Sequence, residues 1–111
     1  MQYMLLIYGD ESRRGDGPPD LEPWIEYGEW LTGEGLMKAG DALQPTATAT
    51  SVRAPDGEPI VSDGPFAETK EQLGGYYLID APDLDKALEA AKRCPGARFG
   101  TIEVRPVQVF D

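Results

Sequence analysis

Leu73-Gly74-Gly75-Tyr76-Tyr77-Leu78-Ile79-Asp80 is followed within three residues by Asp83-Leu84-Asp85-Lys86-Ala87-Leu88-Glu89-Ala90-Ala91, and this pair of patterns decides the fold. The first is a short apolar, aromatic run, as a core strand requires. In the second, Leu84, Ala87, Leu88 and Ala91 recur at helical spacing behind Asp83, a good N-cap, and Pro95-Gly96 stops the helix. The glycine pair marks either a bulge or a place where another backbone or a ligand comes close. Tyr76 and Tyr77 point to opposite sheet faces, so at most one lines any given cavity, and packing is the expected role of each.

Outward towards the C-terminus, residues 100–110 alternate as a last strand, with Pro106 pointing to an edge or a bulge. Outward towards the N-terminus, Pro55-Asp56-Gly57 separates two strand-like segments, 49–54 and 58–62, as a β-hairpin. Before them, Asp20 offers an N-cap, and Leu21, Trp24, Ile25, Gly28 and Leu31 fall on one helical face. That helix is expected to run from residue 20 to the high thirties, with Gly40 as its stop. The segment 9–19, with Glu11-Ser12-Arg13-Arg14, has no periodic apolar positions and reads as a surface loop. Gln2-Tyr3-Met4-Leu5-Leu6-Ile7-Tyr8 is a nearly continuous apolar run, expected to be a central strand covered on both faces.

Strand, helix, hairpin region, strand, helix, strand is the split βαβ order of a ferredoxin-like α+β fold, with an antiparallel sheet and helices on one face. The second face needs a cover. A second copy of the same sheet provides one, so a homodimer is expected.

The chain has 111 residues, enough for one core and too few for two, so residues 1–111 are expected to form a single domain. Twenty acidic and ten basic side chains give a net charge of -10, which repels nucleic-acid phosphate and anionic lipid. Neither nucleic acid nor membrane is an expected partner. The apolar run at 3–8 is too short to span a bilayer and follows no basic stretch, so a cytoplasmic protein is expected. The chain has no histidine, which removes the usual activating imidazole of hydrolases and the common zinc sets. Its single cysteine, Cys94, cannot form an internal disulfide and reads as a free, partly buried structural thiol.

The densest turn chemistry is Ser62-Asp63-Gly64-Pro65-Phe66-Ala67-Glu68-Thr69-Lys70. Gly64 permits positive φ, Pro65 fixes the backbone, Phe66 is expected to anchor the segment, and 66–72 is expected to form a short helix with Asp63 near its N-terminus. An ionised Asp63 suits general-base work or the orientation of a small molecule; the structural alternative is a cap on backbone N–H groups. Arg53 or Lys70 would balance anionic charge on a ligand, and phenols from Tyr8, Tyr76 or Tyr77 would complete a cavity where strand ends meet loops. The candidate ligand-binding set is therefore Arg53, Asp63, Gly64, Pro65, Phe66, Glu68, Lys70 and Tyr76, with Asp63 the candidate catalytic group. An oxygen-only metal site from Asp63, Glu68, Glu71 or Asp41 lacks any ligand-spacing motif, so no metal is assigned. Gly74-Gly75 opens a strand, not a helix, so it is not a phosphate loop.

Tyr3 to Tyr8, the long run Val61 to Ile79, Asp83-Leu84-Asp85 and Ile102 to Val107 together resemble the DGPF branch of the YCII-related family, over nearly the whole chain. The resemblance implies a dimeric α/β barrel of ferredoxin-like units, with a cavity between sheet and helices and the 9–19 loop and 63–72 segment at its mouth. It also implies either a regulatory role, through association with genes for extracytoplasmic-function sigma factors, or cofactor-independent catalysis. The histidine–aspartate pair proposed for some relatives cannot transfer to a chain without histidine; only the Asp63 motif does. The function expected is a small-molecule-binding or regulatory homodimer with no cofactor, the alternatives being a small enzyme using Asp63 and a purely structural dimer.

Overall fold

The computed structural model describes residues 1–13 and 19–110. Of the loop expected over 9–19, residues 14–18 lie outside the described residues. The described residues form β1 (Gln2–Gly9), α1 (Glu22–Gly33), β2 (Met37–Ala42), β3 (Thr50–Arg53), β4 (Ile60–Asp63), β5 (Gln72–Asp80), α2 (Leu84–Arg93) and β6 (Thr101–Pro106), linked in places by short 3-10 turns.

β1 lies inside a four-stranded antiparallel sheet of order β2-β5-β1-β6, the ferredoxin-like arrangement, while β3 and β4 pair only with each other. β1 is central because every second side chain is needed in the core: Tyr3 and Leu5 are buried, whereas Met4, Leu6 and Tyr8 on the opposite face are only half-buried. The helices cover one face. Among the described residues nothing covers the other to the same degree.

The first helix ends earlier than its sequence pattern predicts. Gly35 takes φ +72, a left-handed value that suits glycine. The Leu36 N–H then donates to the Leu31 carbonyl at 2.9 Å and the Gly35 N–H to Thr32 at 3.0 Å, a Schellman stop. Residues 37–42 turn back as edge strand β2, which carries no β-branched residue and so gave no strand signal. Gly40 is not a helix stop: it clears the ring of Tyr77, since a Cβ there would lie 2.7 Å from Tyr77 Cδ1.

The helices pack through faces slightly rotated from those expected. In α1 the buried residues are Tyr27 and Leu31, while Leu21 and Ile25 are exposed. In α2 they are Ala87, Ala90 and Ala91, with Leu84 and Leu88 outward. The small alanines leave room for the Tyr27 side chain, whose hydroxyl reaches across from α1 and donates to the Ala90 carbonyl at 2.6 Å. Tyr77 meets the Tyr27 ring edge-on at 5.4 Å, and Arg93 lies 4.5 Å from the Trp30 ring centre. Asp83 caps α2 as expected, accepting the Lys86 N–H at 2.9 Å. Leu5, Leu31, Ile79 and the free Cys94 are the largest fully buried side chains. This core fills the centre of the layer between sheet and helices, and what open space there is lies at its margin, between α2 and β6.

Residues 66–72 form bends, not the expected short helix. Side chains compete for the backbone groups a helix would use: Thr69 Oγ1 donates to the Glu71 carbonyl at 2.6 Å, and the Gln72 amide donates to the Thr69 carbonyl. Gln72 itself is already in β5, paired with Gly9.

The hairpin is an insertion between β2 and β5 that stands off the frame. The radius of gyration is 16.0 Å, against about 13 Å expected for a compact chain of this length. The extents are 47 × 45 × 19 Å, two layers thick in the short direction.

Candidate functional site

Asp63 ends β4, opposite Thr50, and its side chain is exposed. With no helix following it, Asp63 is not a cap, and among the described residues its carboxylate has no hydrogen-bond or ion-pair partner. Gly64 makes the turn at φ +91, its N–H donating to the Ala49 carbonyl at 2.7 Å and its carbonyl accepting the Ser51 hydroxyl at 2.8 Å. The segment therefore leaves the hairpin in a fixed direction. Phe66 does not anchor it: the ring is 80% exposed. Pro65, Glu68 and Lys70 are exposed too.

The ladder register divides the candidate set. Residues directly opposite or two apart share a face, so Asp63 stands with Thr50, Val52 and Val61, and Arg53 stands on the reverse with Ile60. Arg53 and Asp63 therefore do not converge. Tyr76 is elsewhere again, on the uncovered face of the four-stranded sheet. Hydrogen bonds from the Ser12 hydroxyl and N–H at 2.6 and 2.9 Å hold the Asp10 carboxyl below its ordinary range, with smaller contributions from the charges of Arg13 and then Lys70.

What fixes the arm to the frame is Glu11, which the sequence offered only as one charge in a polar loop. Its Oε1 accepts the Thr46 N–H at 2.9 Å and its Oε2 the Thr46 hydroxyl at 2.8 Å, while its own N–H donates to Gln72 Oε1 at 2.9 Å. Beside it, Thr101 Oγ1 donates to Glu71 Oε1 at 2.8 Å and the Leu43 N–H to the Gly74 carbonyl at 2.8 Å. The glycine pair serves both expected purposes. The β1–β5 register shifts by a bulge opposite Gly74, and Gly75 admits the β2 backbone, where a Cβ would lie 2.9 Å from the Asp41 carbonyl oxygen.

The uncovered sheet face has an apolar centre and a polar margin. Leu78 and Met4 are cross-strand neighbours, as are Tyr76 and Leu6, and all four are half-buried. At the β2 margin the Tyr76 hydroxyl donates to Asp41 Oδ2 at 2.7 Å. This hydrogen bond, then the charge of Asp41, raises the phenol's pKa, so Tyr76 stays neutral and oriented. At the β6 margin stand Glu103, opposite Leu6, and Arg105, opposite Met4.

The two best-formed depressions lie elsewhere. One, of about 430 Å³, is bounded by Pro82, Asp83, Asp85, Lys86 and Glu89; the other, of about 340 Å³, runs between α2 and β6 past Leu88 and Ile102. Both are shallow and neither touches Asp63. Among the described residues no three carboxylate or thiol groups gather as metal ligands, and no helix is long and apolar enough to cross a membrane.

A family model for the YCII-related domain matches residues 1–111. An uncharacterised protein of Rhizobium meliloti (strain 1021) is 38% identical to the chain over 117 residues, covering 99% of this chain and 94% of that protein.

Proposed function

The chain belongs to the YCII-related family, and from that premise we propose that it works as a homodimeric module that binds a small molecule and reports its presence, with no reaction of its own. The observation that carries this reading is the uncovered sheet face. Its central strands present Met4, Leu6 and Leu78 half-buried, an apolar floor, with one preoriented polar pair, Tyr76 and Asp41, at its margin. Ligand sites combine such surfaces, mostly apolar with a few placed polar groups. A single chain leaves that floor open, and a second copy closes it.

Catalysis is the weaker alternative. Asp63 is exposed, but among the described residues no group hydrogen-bonds to it or pairs with it, and a lone carboxylate lacks the partner groups that general acid–base chemistry needs.

Light scattering at micromolar concentration is expected to give twice the chain mass. Thermal melting against a panel of small metabolites is expected to yield a ligand that raises the melting temperature of the wild type and raises that of Tyr76→Phe less. A monomer at all concentrations overturns the reading. So does a stabilising ligand that Tyr76→Phe binds as well as the wild type does.

A further inference from the structure

The hairpin arm carries an assembled surface that no described residue of its own chain covers. Val52 and Val61 are cross-strand partners on the same face as Asp63, and they are 64% and 65% exposed; Phe66, just beyond, is 80% exposed. At the frame end of the ladder the Gly64 N–H donates to the Ala49 carbonyl at 2.7 Å and the Ser51 hydroxyl to the Gly64 carbonyl at 2.8 Å, and the Glu11 to Thr46 contacts join the arm's base to the frame. Two exposed valines sharing a face with a carboxylate that has no partner among the described residues, with exposed Phe66 following in sequence, are what a recognition surface requires.

The uncovered sheet face is the complementary deficit. A stable dimer buries about 800 Å² on each partner, and the arm, with Val52, Val61 and Phe66 exposed, adds apolar area to what the sheet face offers. It stands away from its own frame, which is why the radius of gyration exceeds the compact value.

Resting on the dimer reading above, we infer that the arms are exchanged: each protomer lays Val52, Val61 and Phe66 on the sheet face of a second copy and delivers Asp63 beside that copy's Tyr76–Asp41 pair. The ligand site is then composite and two-fold repeated. The register explains why Asp63, Arg53 and Tyr76 do not meet within one chain: Asp63 and Tyr76 meet between chains, and Arg53 stays outside. The site also acquires a chemical preference. Asp63 only accepts hydrogen bonds, and Asp41 has one carboxylate oxygen committed to Tyr76. The small molecule it takes has an apolar body and a hydrogen-bond-donating head, such as an amine or amide.

The test mixes two differently tagged full-length chains, one carrying Val61→Cys and the other Leu78→Cys, and treats them with a short bis-maleimide; Cys94, 1% exposed, stays unreactive. A cross-link between the two tags is expected, and none when Leu88→Cys on the helix layer replaces Leu78→Cys. A companion chain, Val52→Ser/Val61→Ser/Phe66→Ser, changes only exposed positions and is expected to keep its melting temperature when dilute while its dimer dissociation constant weakens roughly 100-fold or more. A dimer that cross-links only through Leu78→Cys on both copies, or that survives the triple substitution unweakened, overturns arm exchange and leaves the dimer reading standing. A monomeric wild type overturns both.

Discussion

Both oxygens of the Glu11 carboxylate are taken by one residue, Thr46, through its N–H at 2.9 Å and its hydroxyl at 2.8 Å. A side chain in the loop after β1 thereby holds the base of an arm that begins 35 positions later.

Glu11→Ala is expected to free the arm and leave the frame folded. Limited proteolysis should cut the 43–49 connection several-fold faster, while urea unfolding of the frame loses about 1 kcal/mol. Equal loss in both measurements would mean that arm and frame unfold together.

Tyr27→Phe removes the hydroxyl that bonds the Ala90 carbonyl and leaves that buried acceptor unsatisfied. The expected cost is about 1–3 kcal/mol, read as a lower urea midpoint at an unchanged slope. Leu84→Ala, at an exposed position despite its place in the helical pattern, is expected to cost much less.

Two glycine substitutions should move stability in opposite directions. A Cβ on Gly100 would run into the Tyr8 carbonyl oxygen, a backbone atom, so Gly100→Ala is expected to cost about 2 kcal/mol or more. Gly28 lies inside α1 with open space around its Cα, so Gly28→Ala is expected to stabilise by about 0.5–1 kcal/mol. Chemical denaturation of the pair checks both signs.

The Tyr76–Asp41 pair has a signature in alkali. The phenol's pKa is raised in the folded chain, so the contribution of this pair to stability is complete below the ordinary tyrosine value and is lost as pH rises through the folded one. Ultraviolet titration is expected to find Tyr27, Tyr76 and Tyr77 ionising late, the first and last through burial, and Asp41→Asn is expected to return only Tyr76 towards the ordinary range. A titration curve unchanged by Asp41→Asn would remove the pair from the site.

The sequence showed the frame where period and punctuation agreed. Tyr3 to Tyr8, Tyr76 to Ile79 and the Asp83-capped helix were legible because apolar spacing, caps and stops coincided. Strand β2 was not, because Met37-Lys38-Ala39-Gly40-Asp41-Ala42 has helix-tolerant residues and owes its extended form to pairing with β5. In α1 the expected Trp24 and Leu31 do pack inward, joined by Tyr27, while Ile25 faces out; in α2 Leu84 and Leu88 were read inward because leucine weighs more in a pattern than the alanines that are buried there. At the candidate site, residue types were legible and their directions were not. Asp63 and Arg53 look adjacent in a list of charged groups, yet the β3–β4 register sets them back to back. Glu11 carried no signal, since its partner Thr46 is brought to it only by the fold.

Placing the arm between β2 and β5 separates two kinds of mutational pressure. The βαββαβ frame closes its core without any arm residue, and lengthening a surface insertion costs folding little. Residues 50–63 can therefore drift without eroding the frame, so any position there that resists substitution reports on what the arm touches. A deep mutational scan read out once by abundance and once by assembly would divide the chain along that line.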